Sequence, residues 1–140
     1  MHLALLVGSW YTCQRPSDVL LVETAHVTKP EAEDQYQIGF NQGKTVGRIP
    51  PYYINCRIPN EEARNQWDHK VARALNRRQK YLFDFKNRYQ RSKLLTTLLA
   101  YLQQVNPKLD RRSLRRGSLQ KLAETVEEQD VLDYSRQVRG

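Results

Sequence analysis

The stretch Tyr36-Gln37-Ile38-Gly39-Phe40-Asn41-Gln42-Gly43-Lys44-Thr45-Val46 alternates apolar and polar side chains, then breaks at a glycine-bearing turn. Successive side chains of an extended chain point to opposite faces, so Tyr36, Ile38 and Phe40 share the buried face of a strand. Gly43 can take the positive φ that a tight turn needs. A second apolar run, with Tyr52, Tyr53 and Ile54, lies within residues 48–58. The two runs read as a β-hairpin with Lys44 near its tip. Pro50 and Pro51 lack the amide hydrogen that a ladder uses, which implies an edge or an irregular entry to the second strand. Val27 suggests a further short strand upstream.

Around this hairpin the pattern is helical. Residues 3–11 are apolar on most faces and fit a core helix. They lack the basic flank and small-residue cleavage site of a signal peptide and are too short to span a bilayer. Pro16 suits the first turn of a short helix over 17–22, where no backbone donor is needed. Asn60 followed by Glu61 and Glu62 predicts a capped helix start, with the helix running to about Leu75. Residues 76–80 form a charged break, after which Tyr81, Leu82, Phe83 and Phe85 anchor a loop to the core. Leu94, Leu95, Leu98, Leu99 and Leu102 share one face of an amphipathic helix that Asn106-Pro107 ends. Two more helices are predicted, over 109–126 and 127–136. The expected fold is α+β, mostly α: helices with a small antiparallel β-hairpin sheet, forming one domain over residues 1–140.

The charge is one-sided. Lys and Arg number 23 against 15 Asp and Glu in 140 residues, a formal net charge of +8. Such a surface favours a polyanionic partner, because each cation set against a phosphate releases a condensed counterion. Cys13 and Cys56 match no metal or redox spacing and read as buried or free thiols of a reducing compartment. His2, His26 and His69 do not cluster with them, so neither a metal nor a small-molecule cofactor is expected. No stretch is a membrane candidate, so no membrane partner is expected either.

Three cations stand in settings suited to phosphate chemistry: Arg15 in Cys13-Gln14-Arg15-Pro16-Ser17-Asp18, Lys44 in Gly43-Lys44-Thr45, and Arg115 in Arg111-Arg112-Ser113-Leu114-Arg115-Arg116-Gly117-Ser118. Singly, each is an ordinary solvated side chain. In this order and in these surroundings they resemble the tyrosine recombinase, or phage integrase-like, family. That family's pattern is Gly-x-Arg-x-x-Glu/Asp, a lysine on a β-hairpin, His-x-x-Arg, a His or Trp, and finally a tyrosine nucleophile. The segments Gly43-Lys44-Thr45-Val46-Gly47-Arg48 and Leu114-Arg115-Arg116-Gly117-Ser118-Leu119-Gln120 look closest to recombinases of eukaryotic mobile elements, such as those of kinetoplastids. The motifs fall in order along the chain, and residues 60–105 match only in helical character.

The resemblance implies a division of labour that fits the chemistry. Phosphodiester cleavage passes through a crowded phosphorus centre with extra negative charge on its non-bridging oxygens. Arg15 and Arg115 would grip those oxygens with forked, permanently charged guanidiniums. Lys44 would protonate the departing 5′-oxygen. Asp18, one turn from Arg15, would orient an active-site partner or brace the fold. Its alternative is a simple negative charge at a helix start.

The sequence also departs from the pattern. Arg112 stands where the family has His, and a guanidinium donates only, so it cannot act as a general base. Gln137, in Ser135-Arg136-Gln137, stands where the family has the third phosphate ligand. The nucleophilic tyrosine expected further on is absent, and Tyr134 precedes the ligand position. Without that tyrosine no covalent phosphotyrosine forms. The resemblance also implies a catalytic domain without the family's N-terminal DNA-clamping domain.

The expectation is thus a DNA-binding recombinase or integrase catalytic-domain fragment for site-specific recombination or integration, inactive alone. Its implied partners are duplex DNA and further copies of itself on DNA. It would be nuclear in a eukaryote and cytoplasmic otherwise. The alternative is a non-catalytic basic nucleic-acid-binding protein that holds phosphates with residues 77–93 and 111–116.

Overall fold

The structure, a computed structural model, describes residues 3–29, 34–40, 51–110 and 112–125. Five helices surround a small sheet: α1 Leu3–Thr12, α2 Pro16–Val19, α3 Glu61–Asn76, α4 Arg88–Val105 and α5 Ser113–Thr125, with strands β1 Val27–Thr28, β2 Gln35–Phe40 and β3 Tyr52–Arg57. A single 3₁₀ turn, Thr24–His26, leads into β1. The architecture is α+β and mostly helical.

The strands pair antiparallel in the order β1-β2-β3, with Ile38 opposite Ile54, Tyr36 opposite Cys56, and Phe40 opposite Tyr52. This register puts Tyr36, Ile38, Phe40, Ile54 and Cys56 in the core. The period-2 reading of the hairpin therefore holds for its strands. Residues 41–50, which carry Lys44 and the expected turn, lie outside the described residues, and β3 starts at Tyr52.

Helix α1 is the hub, packed against α2, α3, α5 and β3. Its apolar length buries Ala4, Leu5 and Val7, and its two buried hydroxyls are satisfied locally. Ser9 donates to the Leu5 carbonyl at 2.7 Å and Thr12 to the Gly8 carbonyl at 2.6 Å, so neither leaves an unpaired polar group in the core. Gly8 lets α3 approach closely: a Cβ there would lie 2.7 Å from the Trp67 ring, which is fully buried.

The cap expected at Asn60 is present, and a second one stands at Asn87. Asn60 accepts from the Ala63 amide at the start of α3, and Asn87 does the same for Gln90 at the start of α4, each at 2.9 Å. The loop after α3 is pinned by Leu82 N–H to Val22 C=O at 3.0 Å and Thr24 N–H to Lys80 C=O at 2.9 Å. Leu82 and Phe83 are buried as anchors.

Two boundaries differ from expectation. Helix α2 ends at Val19, because the next amides turn back tightly: Leu21 bonds the Asp18 carbonyl and Val22 the Val19 carbonyl, both at 3.1 Å. The helix expected from Leu109 starts at Ser113. Asp110 intercepts the chain first, accepting from the Arg112 amide at 2.9 Å, while its own amide donates to Ser113 Oγ at 2.8 Å. The helix expected over 127–136 lies outside the described residues.

Candidate functional site

Local backbone rules place Arg15. Helix α1 ends at Cys13, whose φ is 58°, a left-handed conformation that suits glycine best. Arg15 then lies extended, at φ −68° and ψ 141°, as the residue before a proline must. Pro16 opens α2. Three residues on, Asp18 turns back to accept a hydrogen bond from Arg15 Nε at 3.0 Å.

The Asp18 side chain is 2% exposed and that of Arg15 28%. Asp18 is therefore the buried partner of Arg15 and not a solvated helix-start charge. Arg15 Nη2 and Asp18 Oδ1 are buried and make no hydrogen bond among the described residues. A buried guanidinium N–H is a donor that an incoming anion's oxygen could satisfy.

Arg115 arrives from the other end of the chain. Helix α5 docks on α1 where Gly117 meets Trp10, and a Cβ at Gly117 would lie 3.0 Å from that ring. The same docking sets Ser118, buried, against Cys13. Burial pushes the Cys13 thiol up, against weaker opposing pulls from a Ser118 hydrogen bond and the Arg115 charge. Arg115 thus sits over the turn that positions Arg15.

Tyr52 joins them from β3. Its ring stacks on Phe40, with centroids 5.6 Å apart, and its hydroxyl donates to Gln14 Oε1 at 2.9 Å. Gln14, fully buried, donates in turn to the Thr12 carbonyl at 3.2 Å. Burial, and then the Asp18 carboxylate, push the Tyr52 phenol up to about 12, while Arg15 and Arg115 pull it back. One hydroxyl therefore senses Arg15, Asp18 and Arg115 together. At neutral pH it is a protonated hydrogen-bond donor.

Arg112 is exposed and lines a groove of about 260 Å³ with Arg15, Pro16, Ser17, Leu114 and the leucine face of α4. Of the residues singled out from sequence, Arg15 and Asp18 form an ion pair, the charges of Arg15, Asp18 and Arg115 all act on the Tyr52 phenol, and Arg112 shares the groove of Arg15. Lys44 and Gln137 lie outside the described residues. The sequence reading missed Tyr52 and Gln14. Tyr52 looked like one more apolar strand position. Only the pairing that sets it across from Phe40 brings it to the arginines. Neither the scan against protein-family models nor the searches of curated proteins and solved structures finds a match to this chain.

The buried acids of this region make an alkaline prediction. Burial raises the Cys56 thiol from 9.0 to about 12, and the Tyr52 phenol rises from 10.0 to about 12. Both folded values lie above the unfolded ones, so their contribution to stability is complete below about pH 9. It is lost as pH climbs from there toward 12. Denaturant midpoints should hold from pH 7 to about 9 and fall steeply above. Cys56→Ala and Tyr52→Phe should each flatten that fall. Equal alkaline slopes in the wild type and the double variant would contradict this assignment.

Proposed function

We propose that this chain is a DNA-binding catalytic-domain fragment of the tyrosine recombinase type, holding a backbone phosphate between Arg15 and Arg115. The observation that carries the reading is their convergence. The charges of two arginines from opposite ends of the chain, on separate helical segments, act on one half-buried hydroxyl, and Arg15 keeps a buried N–H with no acceptor among the described residues. Guanidiniums meeting this way give forked, orientation-fixing contacts to non-bridging oxygens. Arg112, on the rim of the Arg15 groove, adds a further phosphate donor in the place of the family's histidine.

In this reading Lys44 is the general acid and Gln137 a weak third ligand, both by resemblance. Asp18 is a positioning residue for Arg15. The residues named here are assigned the grip on a backbone phosphate, and none of them the nucleophile's role. The DNA transactions implied are recombination or integration of a mobile element, on duplex DNA and with further copies of the chain, in the nucleus if the source is eukaryotic and in the cytoplasm otherwise.

A titration of the full chain with a short fluorescent duplex tests this. Arg15→Lys and Arg115→Lys keep the charge but remove the fork. Each should weaken binding by about tenfold, or roughly 1.4 kcal/mol, with little change in melting temperature. Affinities equal to wild type for both variants would refute the reading.

A further inference from the structure

Outside this site the strongest unexplained feature is the corner between α3 and α4. Residues 70–93 hold nine Lys and Arg and a single acid, Asp84. Elsewhere four cations have carboxylate partners: Arg15 with Asp18, Lys29 with Asp68, Arg57 with Asp34, Arg116 with Asp110. At this corner Arg73, Arg77, Arg78, Lys80, Lys86 and Arg88 are exposed. None of them forms an ion pair among the described residues.

The backbone adds a second, independent sign. Helix α3 closes with the Arg78 amide on the Leu75 carbonyl at 3.1 Å and the Gln79 amide on the Ala74 carbonyl at 3.0 Å. This is the helix ending whose left-handed position glycine normally fills. Here Arg78 takes it, with φ 52°. An arginine where glycine would be relaxed carries a strain cost, and backbone outliers of this kind cluster at functional sites.

The aromatic rings of the corner narrow the partner. Tyr81 and Phe85 stack on each other, with centroids 5.4 Å apart, and Lys80 covers Tyr81. Tyr89 is the corner's one freely exposed ring among the described residues. Single-strand binders lay successive bases on successive open rings, and such a platform is lacking. The corner offers charge alone, which suits the phosphate backbone of a duplex. It is also continuous with the groove already described. Arg91 and Arg88 lie one and two turns before Leu95 on the same face of α4, and Leu95 lines the groove with Arg15.

We propose that the α3–α4 corner is a backbone clamp for duplex DNA, gripping the flank of the phosphate held at Arg15 without reading base sequence. The clamp's location beside that phosphate rests on the proposed function. The clamp itself rests on its own charges and on Arg78.

The test titrates the full chain with labelled duplexes of unrelated sequence over a range of salt. Two variants carry it: Arg77→Ala with Arg78→Gly and Lys80→Ala, and Arg88→Ala with Arg91→Ala. Each should bind all duplexes about tenfold more weakly or worse, and the log–log salt slope should shrink by about 0.9 per phosphate contact removed. Arg78→Gly alone should bind more weakly while its melting temperature holds or rises, a combination that a structural role would not produce. Unchanged affinity and slope in both multiple variants would overturn the clamp. So would loss of binding to phosphatidylserine vesicles with duplex binding intact. If the corner variants fail and Arg115→Lys does not, the clamp stands and the two-arginine reading falls. The reverse pattern overturns the clamp and leaves that reading in place.

Discussion

Arg15→Ala is expected to lower the free energy of unfolding by about 3 kcal/mol, because it removes the partner of a buried carboxylate. The Asp18 side chain is 2% exposed, and its hydrogen bond from Arg15 Nε is 3.0 Å long. Its other oxygen is already buried with no donor among the described residues. Deleting the guanidinium would leave the whole carboxyl group in a low-dielectric pocket without its hydrogen-bonded ion-pair partner. Asp18→Asn in the Arg15→Ala background should recover a large part of the loss, since a neutral amide is less costly to bury there. Urea unfolding of the wild type, the single variants and the double variant gives the coupling directly. A loss under about 0.5 kcal/mol, within the range of ordinary surface changes, would mean that Asp18 is effectively solvated and the pair weak. This expected instability is why Arg15→Lys, and not Arg15→Ala, is the variant for reading DNA affinity.

Trp67→Ala carries the second large effect, a loss of about 3–5 kcal/mol. The indole is fully buried at the meeting of α1 and α3. It fills the space that Gly8 leaves, with a ring carbon 2.7 Å from where a Cβ would stand. Gly8→Ala alone should also destabilise the protein, by about 1–3 kcal/mol of overpacking. With Trp67 removed, that added methyl would face a cavity, its nearest remaining neighbour being Val19 at 3.0 Å. The two substitutions should therefore combine to less than the sum of their separate losses. Strict additivity in thermal or urea unfolding would show that α1 and α3 do not meet in this way. The effect matters for the site, because the α1 that Trp67 supports is the same helix that ends in Cys13, Gln14 and Arg15.

What the sequence made legible was the part encoded in short-range pattern. The alternation of Tyr36, Ile38 and Phe40, the Asn60 cap, and the leucine face of α4 each depend on neighbours within a few residues, and each is present. The end of α2 and the start of α5 were misplaced for a related reason. Backbone amides after Val19 and the Asp110 carboxylate compete with helix formation, and propensity does not register that competition. At the site, Arg15 and Arg115 could be picked out through a family pattern, but their meeting could not. It requires α5 to close on α1 through Gly117 and Trp10, and β3 to carry Tyr52 across from Phe40. Tyr52 and Gln14 were invisible because nothing in their local sequence distinguishes them from core positions. The unpaired cations of the α3–α4 corner could be counted in sequence. Their lack of carboxylate partners among the described residues, and the strain at Arg78, needed the fold.

The account as a whole depends on Arg15 and Arg115 acting on one phosphate. The most direct measurement follows the arginine Nε–H resonances of the full chain as a short duplex is added. Arg15 and Arg115 should shift together, with one apparent dissociation constant, and Tyr52→Phe should leave both still responding. Shifts confined to the arginines of the α3–α4 corner, with Arg15 and Arg115 unmoved at saturation, would contradict it.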